Sequence, residues 1–139
     1  MTVAPERIAA AVAALRPAAR KASANAHAPY SGFHVGAALR GPDGAVYAGC
    51  NVESASYGLT QCAERNALGA AISAGVKPGE TSLLVIYLPG VEPLPPCGAC
   101  RQWMVELLQP GALVVSCCDG EAMEAWQLSD LLPGPFLGP

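Results

Sequence analysis

Charge is scarce in this chain. Asp, Glu, Lys and Arg make up 14% of its 139 residues, against about 25% in soluble domains generally. The eight Lys and Arg are scattered and are outnumbered by eleven Asp and Glu, giving a net charge of −3. Nothing forms the basic footprint that a nucleic-acid groove requires, so no nucleic acid is expected as a partner. Long apolar runs are missing too. None reaches the roughly 18 residues that would cross a membrane. The N-terminal apolar stretch is interrupted by Glu6, Arg7 and Arg16, which does not suit a secretory signal. An acidic residue and the lack of a cleavage-like tail set the same stretch apart from a mitochondrial targeting peptide. The six cysteines are therefore read as reduced, cytoplasmic thiols and not as a disulfide framework.

What is abundant is apolar: 52% of the residues are hydrophobic. The length predicts one domain over residues 1–139, and a domain of this size buries roughly 70% of its unfolded surface. So much apolar surface beside so little charge predicts that part of the exterior is covered by further copies of the chain.

The pattern along the chain predicts an α/β fold. Residues 5–25 are alanine-rich, with Ile8, Val12 and Leu15 at helical spacing. Pro17 falls inside this segment and is expected to kink or split it. Residues 33–40 and 45–51 read as two strands joined by the turn Gly41-Pro42-Asp43-Gly44, and strands joined so tightly must be antiparallel. Thr60 is expected to cap a helix running to about residue 74, which Gly75 ends. The unbroken apolar run 83–88 reads as a central buried strand. A second helix is expected over 97–109, and strands over 113–117 and 123–127. A turn of helix is expected near 129–132. The strand–helix alternation in the middle predicts parallel pairing, and the opening hairpin makes the sheet mixed.

Two short patches carry the chemistry. One is Thr60-Gln61-Cys62-Ala63-Glu64-Arg65, and the other is Pro95-Pro96-Cys97-Gly98-Ala99-Cys100-Arg101. Cys97 and Cys100 are three apart, so they share one face of a helical turn and can chelate a single ion. Taken alone, that pair is equally a structural zinc half-site, a thioredoxin-like redox pair or a coincidence. Cys62 would supply a third sulfur and leave a fourth tetrahedral position open, the arrangement that separates a catalytic zinc from a structural one. Cys62 and Cys97 each open an expected helix, where free N–H groups and the dipole favour a thiolate. Arg65 and Arg101 each follow a ligand patch and are candidates to offset the charge of three thiolates through hydrogen bonds to sulfur. His27 and His34 are not expected as ligands, and His34 reads as a packed, hydrogen-bonded residue. Cys50, Cys117 and Cys118 read as buried strand residues, and Trp103 and Trp126 as core.

Cys62-Ala-Glu64 followed by Pro96-Cys-x-x-Cys100 resembles the zinc nucleoside deaminase signature. The segments 28–38, 49–58, 97–102 and 131–136 resemble cytidine deaminases of the small homotetrameric type. The similarity runs from about Ala28 to Phe136. The resemblance implies a three-layer α/β/α sandwich around a mixed five-stranded sheet. It implies one zinc ion per subunit on Cys62, Cys97 and Cys100. The activity implied is hydrolytic deamination of cytidine and 2′-deoxycytidine in pyrimidine salvage, with ammonia released. Glu64 would be the proton acceptor and then donor, and Arg65 would attend the ligand sulfurs. Asn51 and Glu53 would hold the ribose 3′-hydroxyl, Phe33 would pack on the pyrimidine, and Ala63 would contact the base through its backbone. Ala55, Tyr57 and Phe136 would line the pocket from neighbouring subunits. The weighed alternatives are a deaminase for another aminated heterocycle, a polynucleotide-editing deaminase, and a non-catalytic zinc module in which Glu64 is incidental.

Overall fold

A computed structural model describes residues 3–139. Its elements follow the order α1 (Pro5–Ser23), β1 (Gly36–Arg40), β2 (Val46–Cys50), α2 (Ala63–Ser73), β3 (Leu83–Tyr87), α3 (Gly98–Leu107), β4 (Leu113–Cys117), β5 (Met123–Gln127) and α4 (Leu128–Leu131). The five strands make one sheet in the order β2-β1-β3-β4-β5. β1 is antiparallel to both of its neighbours, β3 and β4 are parallel, and β5 returns antiparallel.

The period-2 alternation of the strands divides the core in two. Leu83, Val85 and Tyr87 of β3, with Leu113, Val115 and Cys117 of β4, pack with Val12, Leu15 and Ala19 of α1. Leu84 and Ile86, with Val114, pack on the other side with Ala67 and Leu68 of α2 and Met104 of α3. The result is a helix on one face and two helices on the other. β3 is buried along its whole length because it has a covered face on each side, which explains its lack of polar residues.

Two glycines permit the close approach of helix to sheet. A Cβ on Gly36 would lie 1.8 Å from the Ala19 carbonyl oxygen of α1, and one on Gly49 would lie 2.6 Å from the Ala67 nitrogen of α2. Both obstacles are backbone, which cannot rotate aside.

The hairpin turn is as expected. The Gly44 N–H donates to the Gly41 carbonyl at 3.0 Å, Gly44 has φ of 88°, and the Asp43 carboxylate accepts from the Ala45 N–H. At the far end of α2, Gly75 has φ of 103°. The Val76 and Gly75 N–H groups return to the Ala71 and Ile72 carbonyls, the paired bonds of a Schellman stop.

Several expectations are corrected. Pro17 lies within an unbroken helix. It sits on the exposed face of α1, so its ring meets solvent and not the sheet. Residues 33–35 precede β1 and are not part of it. Thr60 does not cap α2, which starts at Ala63 with Cys62 in the cap position. Residues 60–62 are drawn out of the helix because Val52 and Gln61 exchange two backbone hydrogen bonds of 2.9 Å, while the Thr60 hydroxyl accepts from the Ser54 N–H. His34 is exposed and Cys50 is half-buried. Trp103 is an exposed residue on α3 and not a core one.

The start of the β3–α3 connection is tied to the end of β4. Asp119 accepts hydrogen bonds from the Tyr87 hydroxyl and from the Gly90 N–H. The Tyr87 bond, more than any other contact, holds its carboxyl below the usual carboxylate range.

Two outcomes are expected. Gly36→Ala and Gly49→Ala should each cost about 1–3 kcal/mol or more in urea unfolding, with Gly36→Ala the worse because its clash is shorter. The second concerns pH. A depressed carboxyl stabilises fully above its unfolded value of about 3.9 and loses that contribution as pH falls through the lower folded value. Melting temperatures of Asp119→Asn should therefore lie below those of the wild type at pH 6, and the gap should close below about pH 4.

Candidate active site

The sheet topology brings the two cysteine patches together. β2 and β3 are both antiparallel to β1, so they run in the same direction and end at the same edge of the sheet. The helices that follow them, α2 and α3, therefore begin side by side. Cys62 occupies the cap position of α2 and Cys97 that of α3. Their sulfurs lie 3.7 Å apart. Cys100 stands one turn further along α3, fully buried, and the three sulfurs all lie within 4.8 Å of one another.

That geometry fits zinc. Four ligands at a Zn–S distance of about 2.3 Å put neighbouring sulfurs about 3.8 Å apart. Among the described residues no His, Asp or Glu joins the cluster, so a tetrahedral ion keeps one position for a ligand that is not protein. The protonation of the sulfurs points the same way. Cys100 and Arg65 beside it pull the Cys62 thiol down to about 5 despite its burial. Cys100 is pushed upward by its Cys62 neighbour, by burial and by the Glu64 charge. A cation among the three sulfurs would balance their charge as thiolates.

Arg65 reaches this cluster. One of its terminal nitrogens donates to the Cys62 sulfur at 3.4 Å and to the Thr60 carbonyl at 3.3 Å. Its pKa rises, chiefly through the Cys62 bond, and its buried Nε has no partner among the described residues. Arg101 goes elsewhere. It binds the Pro96 and Leu131 carbonyls and so ties the start of α3 to α4.

Glu64 lies on the first turn of α2 and is 5% exposed. Burial pushes its carboxyl upward, and the nearby Cys62 charge adds to the effect. A raised carboxyl is a stronger base when ionised, which suits proton transfer near neutral pH. Glu64 faces a cavity of about 380 Å³ that also takes in Cys62, Cys97, Ala63, Phe33, Asn51 and Glu53. A volume of that order suits a small organic molecule.

Asn51 and Glu53 are held by bonds to the chain on the cavity rim. The Asn51 carbonyl oxygen accepts from the Val35 N–H at 2.9 Å, and its amide donates to the Phe33 carbonyl at 2.8 Å. Glu53 accepts from the Tyr30 and Ser31 N–H groups and from the Ser31 hydroxyl, which above all keeps its carboxyl low and ionised. Each retains spare capacity: one N–H on Asn51 and free lone pairs on Glu53.

The remaining sequence candidates are not brought into this cavity by their own chain. Ala55 is exposed. Tyr57 is 79% exposed and Phe136 72%. Tyr57 lines a separate cleft with Tyr30, Ser31 and Glu53, its ring edge-on to that of Tyr30. The Phe136 carbonyl accepts from Gln102. The cavity also uses residues that sequence reasoning passed over: Val35, Ile86, Leu88, Leu94 and Pro95. Only the prolines around Leu94 hinted at an ordered wall there.

Comparison with known proteins agrees with this geometry. The model of the cytidine and deoxycytidylate deaminase zinc-binding region matches residues 11–117. A cytidine deaminase of Halalkalibacterium halodurans is 45% identical over 117 residues, covering 84% of this chain and 86% of that protein. One from Mycobacterium tuberculosis is 42% identical over 123 residues, covering 88% and 86%. The crystal structure of cytidine deaminase from Burkholderia pseudomallei superposes with a TM-score of 0.82 at 46% identity, covering 92% of this chain and 98% of that one. With a match that spans both cysteine patches and relatives that align over most of both chains, this protein belongs to the cytidine and deoxycytidylate deaminase family.

Proposed function

We propose that the protein is a zinc-dependent hydrolase that converts cytidine and 2′-deoxycytidine to uridine and 2′-deoxyuridine. One observation carries the reading. Three cysteine sulfurs lie within 4.8 Å of one another, beside a buried glutamate that opens onto a cavity of nucleoside scale. Cys62, Cys97 and Cys100 would hold the zinc, which when bound supplies Lewis-acid polarisation of a water, lowering its pKa from about 15.7 toward about 7.

The side chains of the protein do the rest. Glu64 accepts a proton from the attacking water and delivers it to N3 of the pyrimidine as the C4–O bond forms. It next carries the second proton to the amino group, the C4–N bond breaks and ammonia leaves. One carboxylate serves both steps because they occur in sequence at one place, and its burial keeps bulk water from competing for the proton. Phe33 and Ala63 flank the base. The spare donor of Asn51 and the spare lone pairs of Glu53 suit a sugar hydroxyl, which needs both an acceptor and a donor.

The rim supports an assembly of copies. Tyr57, Phe136, Leu59 and Leu137 are all more than two-thirds exposed, and such residues gain from being covered. In this reading Ala55, Tyr57 and Phe136 complete the cavity of an adjacent subunit in a homotetramer. Six free cysteines suit a reducing, cytoplasmic setting, and nucleoside salvage is the corresponding role.

Purified, zinc-quantified protein should release ammonia from cytidine. Glu64→Gln should lower kcat by about 10²–10⁴-fold and keep its zinc. Failure on cytidine with success on another aminated heterocycle in the same panel would move the substrate and keep the chemistry. Arg65→Gln should lose about tenfold in turnover with zinc still bound, and unchanged turnover in a zinc-replete variant would remove Arg65 from the mechanism. Light scattering should return about four times 14.1 kDa.

A further inference from the structure

The connection from β3 to α3 forms part of the cavity wall through Leu88, Leu94, Pro95 and Cys97. It is unusually poor in hydrogen-bond donors. Residues 93, 95 and 96 are prolines, so between Glu92 and Cys97 only Leu94 carries a backbone N–H. That single N–H donates to the Ser116 hydroxyl at 3.2 Å.

Ser116 is fully buried. It lies in β4 directly across from Ile86 of β3, and Ile86 is itself on the cavity wall. Strand alternation puts Ser116 on the same face as Val114, the face covered by α2 and α3. The strand reads Leu-Val-Val-Ser-Cys, so this is its only side-chain oxygen. A buried hydroxyl in such a place is costly unless it is hydrogen-bonded. An alanine or valine would suit the apolar neighbours better.

The other end of the connection is secured separately, because Gly90 exchanges two hydrogen bonds of 2.9 Å with Asp119. Ser116 therefore acts on the stretch that carries Leu94, Pro95 and Cys97. Leu94 is also a partition. It borders the active-site cavity on one side and a neighbouring cleft, shared with Phe33, His34 and Val91, on the other. A shift of its backbone would widen one space at the expense of the other.

We propose that Ser116 is a positioning residue for the reaction, its buried hydroxyl holding the Leu94–Pro95 wall against which the nucleoside is bound. The assignment rests on the cytidine-deaminating reading of the site. It concerns binding and not bond-making, because Ser116 holds the wall through the Leu94 main chain, and no hydrogen bond among the described residues joins it to the sulfur cluster or to Glu64.

The test compares Ser116→Ala, Ser116→Val, Ser116→Cys and Ser116→Thr, each with zinc quantified. In Ala and Val, KM for cytidine should rise roughly threefold to tenfold, the range of one net hydrogen bond, with kcat within about twofold. Cys, a poor acceptor of similar shape, should behave like Ala, and Thr should restore KM. Amide hydrogen exchange supplies a readout independent of activity. The Leu94 amide should lose protection in Ala, Val and Cys and keep it in Thr, while the β3 amides stay protected in all four. A wild-type KM in a folded, zinc-replete Ala or Cys variant would overturn the proposal, as would equal behaviour of Val and Thr. If the wild type fails on cytidine while Leu94 loses protection as described, the substrate reading falls and the tether stands. Unchanged Leu94 protection would overturn the tether whatever the substrate.

Discussion

Three sulfur atoms within 4.8 Å of one another repel strongly once they ionise, and the surroundings of the site are arranged around that repulsion. The first thiolate is easy. Cys62 is a helix cap, where backbone N–H groups point outward, and Arg65 supplies a charged hydrogen bond. Cys100 is harder to ionise, pushed upward by its Cys62 neighbour, by burial and by the Glu64 charge. A dication resolves the conflict by binding all three sulfurs at once, and it leaves a centre of net charge −1. Arg65 lies against that residual charge. An arginine there keeps its charge at every relevant pH, so it moderates the cluster without taking part in proton transfer. In the proposed reading, that leaves proton transfer to Glu64.

The sheet makes this convergence unavoidable. With β1 inserted antiparallel between β2 and β3, the two strands that precede the cysteine helices end at one edge. No loop has to double back to bring Cys62 to Cys97 across 35 residues of chain. The fit is close enough that Gly49 has no room for a side chain beside α2. A larger residue there would press on the helix that carries Cys62 and Glu64. The glycine in β2 thus bears on the position of α2 through its backbone.

How much of this could be read from the chain divides along the range of the forces involved. Local signals were legible: the Gly41–Gly44 turn, the Gly75 stop, the all-apolar β3 and the mostly apolar β4. The cysteine spacings were legible too, because two ligands three apart on a helix are a local matter. What escaped the sequence was set by partners distant in the chain. Thr60 looks like a helix cap, but the Val52–Gln61 bridge holds it extended. Pro17 looks like a break, yet it falls on the outer face of a helix whose inner face is already fixed by Leu15 and Ala19. Asn51 and Glu53 read as residues aimed at a ligand, and nothing in their spacing announced that most of their hydrogen bonds run to the backbone of residues 30–35. Ser116 was invisible for the same reason, since its partner lies 22 residues upstream.

The two sides of the cavity are consequently built in different ways. The metal side is made of helix starts and sheet, where many backbone hydrogen bonds share the load and no single side chain decides the geometry. The substrate side is irregular chain, held by side chains that reach across to main-chain groups: Asn51 to Phe33 and Val35, Glu53 to Tyr30 and Ser31, and Ser116 to Leu94. Each of these clamps rests on one to three hydrogen bonds. A change in one of them bears first on the wall it holds. In the proposed reading, substrate preference would follow from the clamps, while the capacity for hydrolysis would follow from the two helix starts.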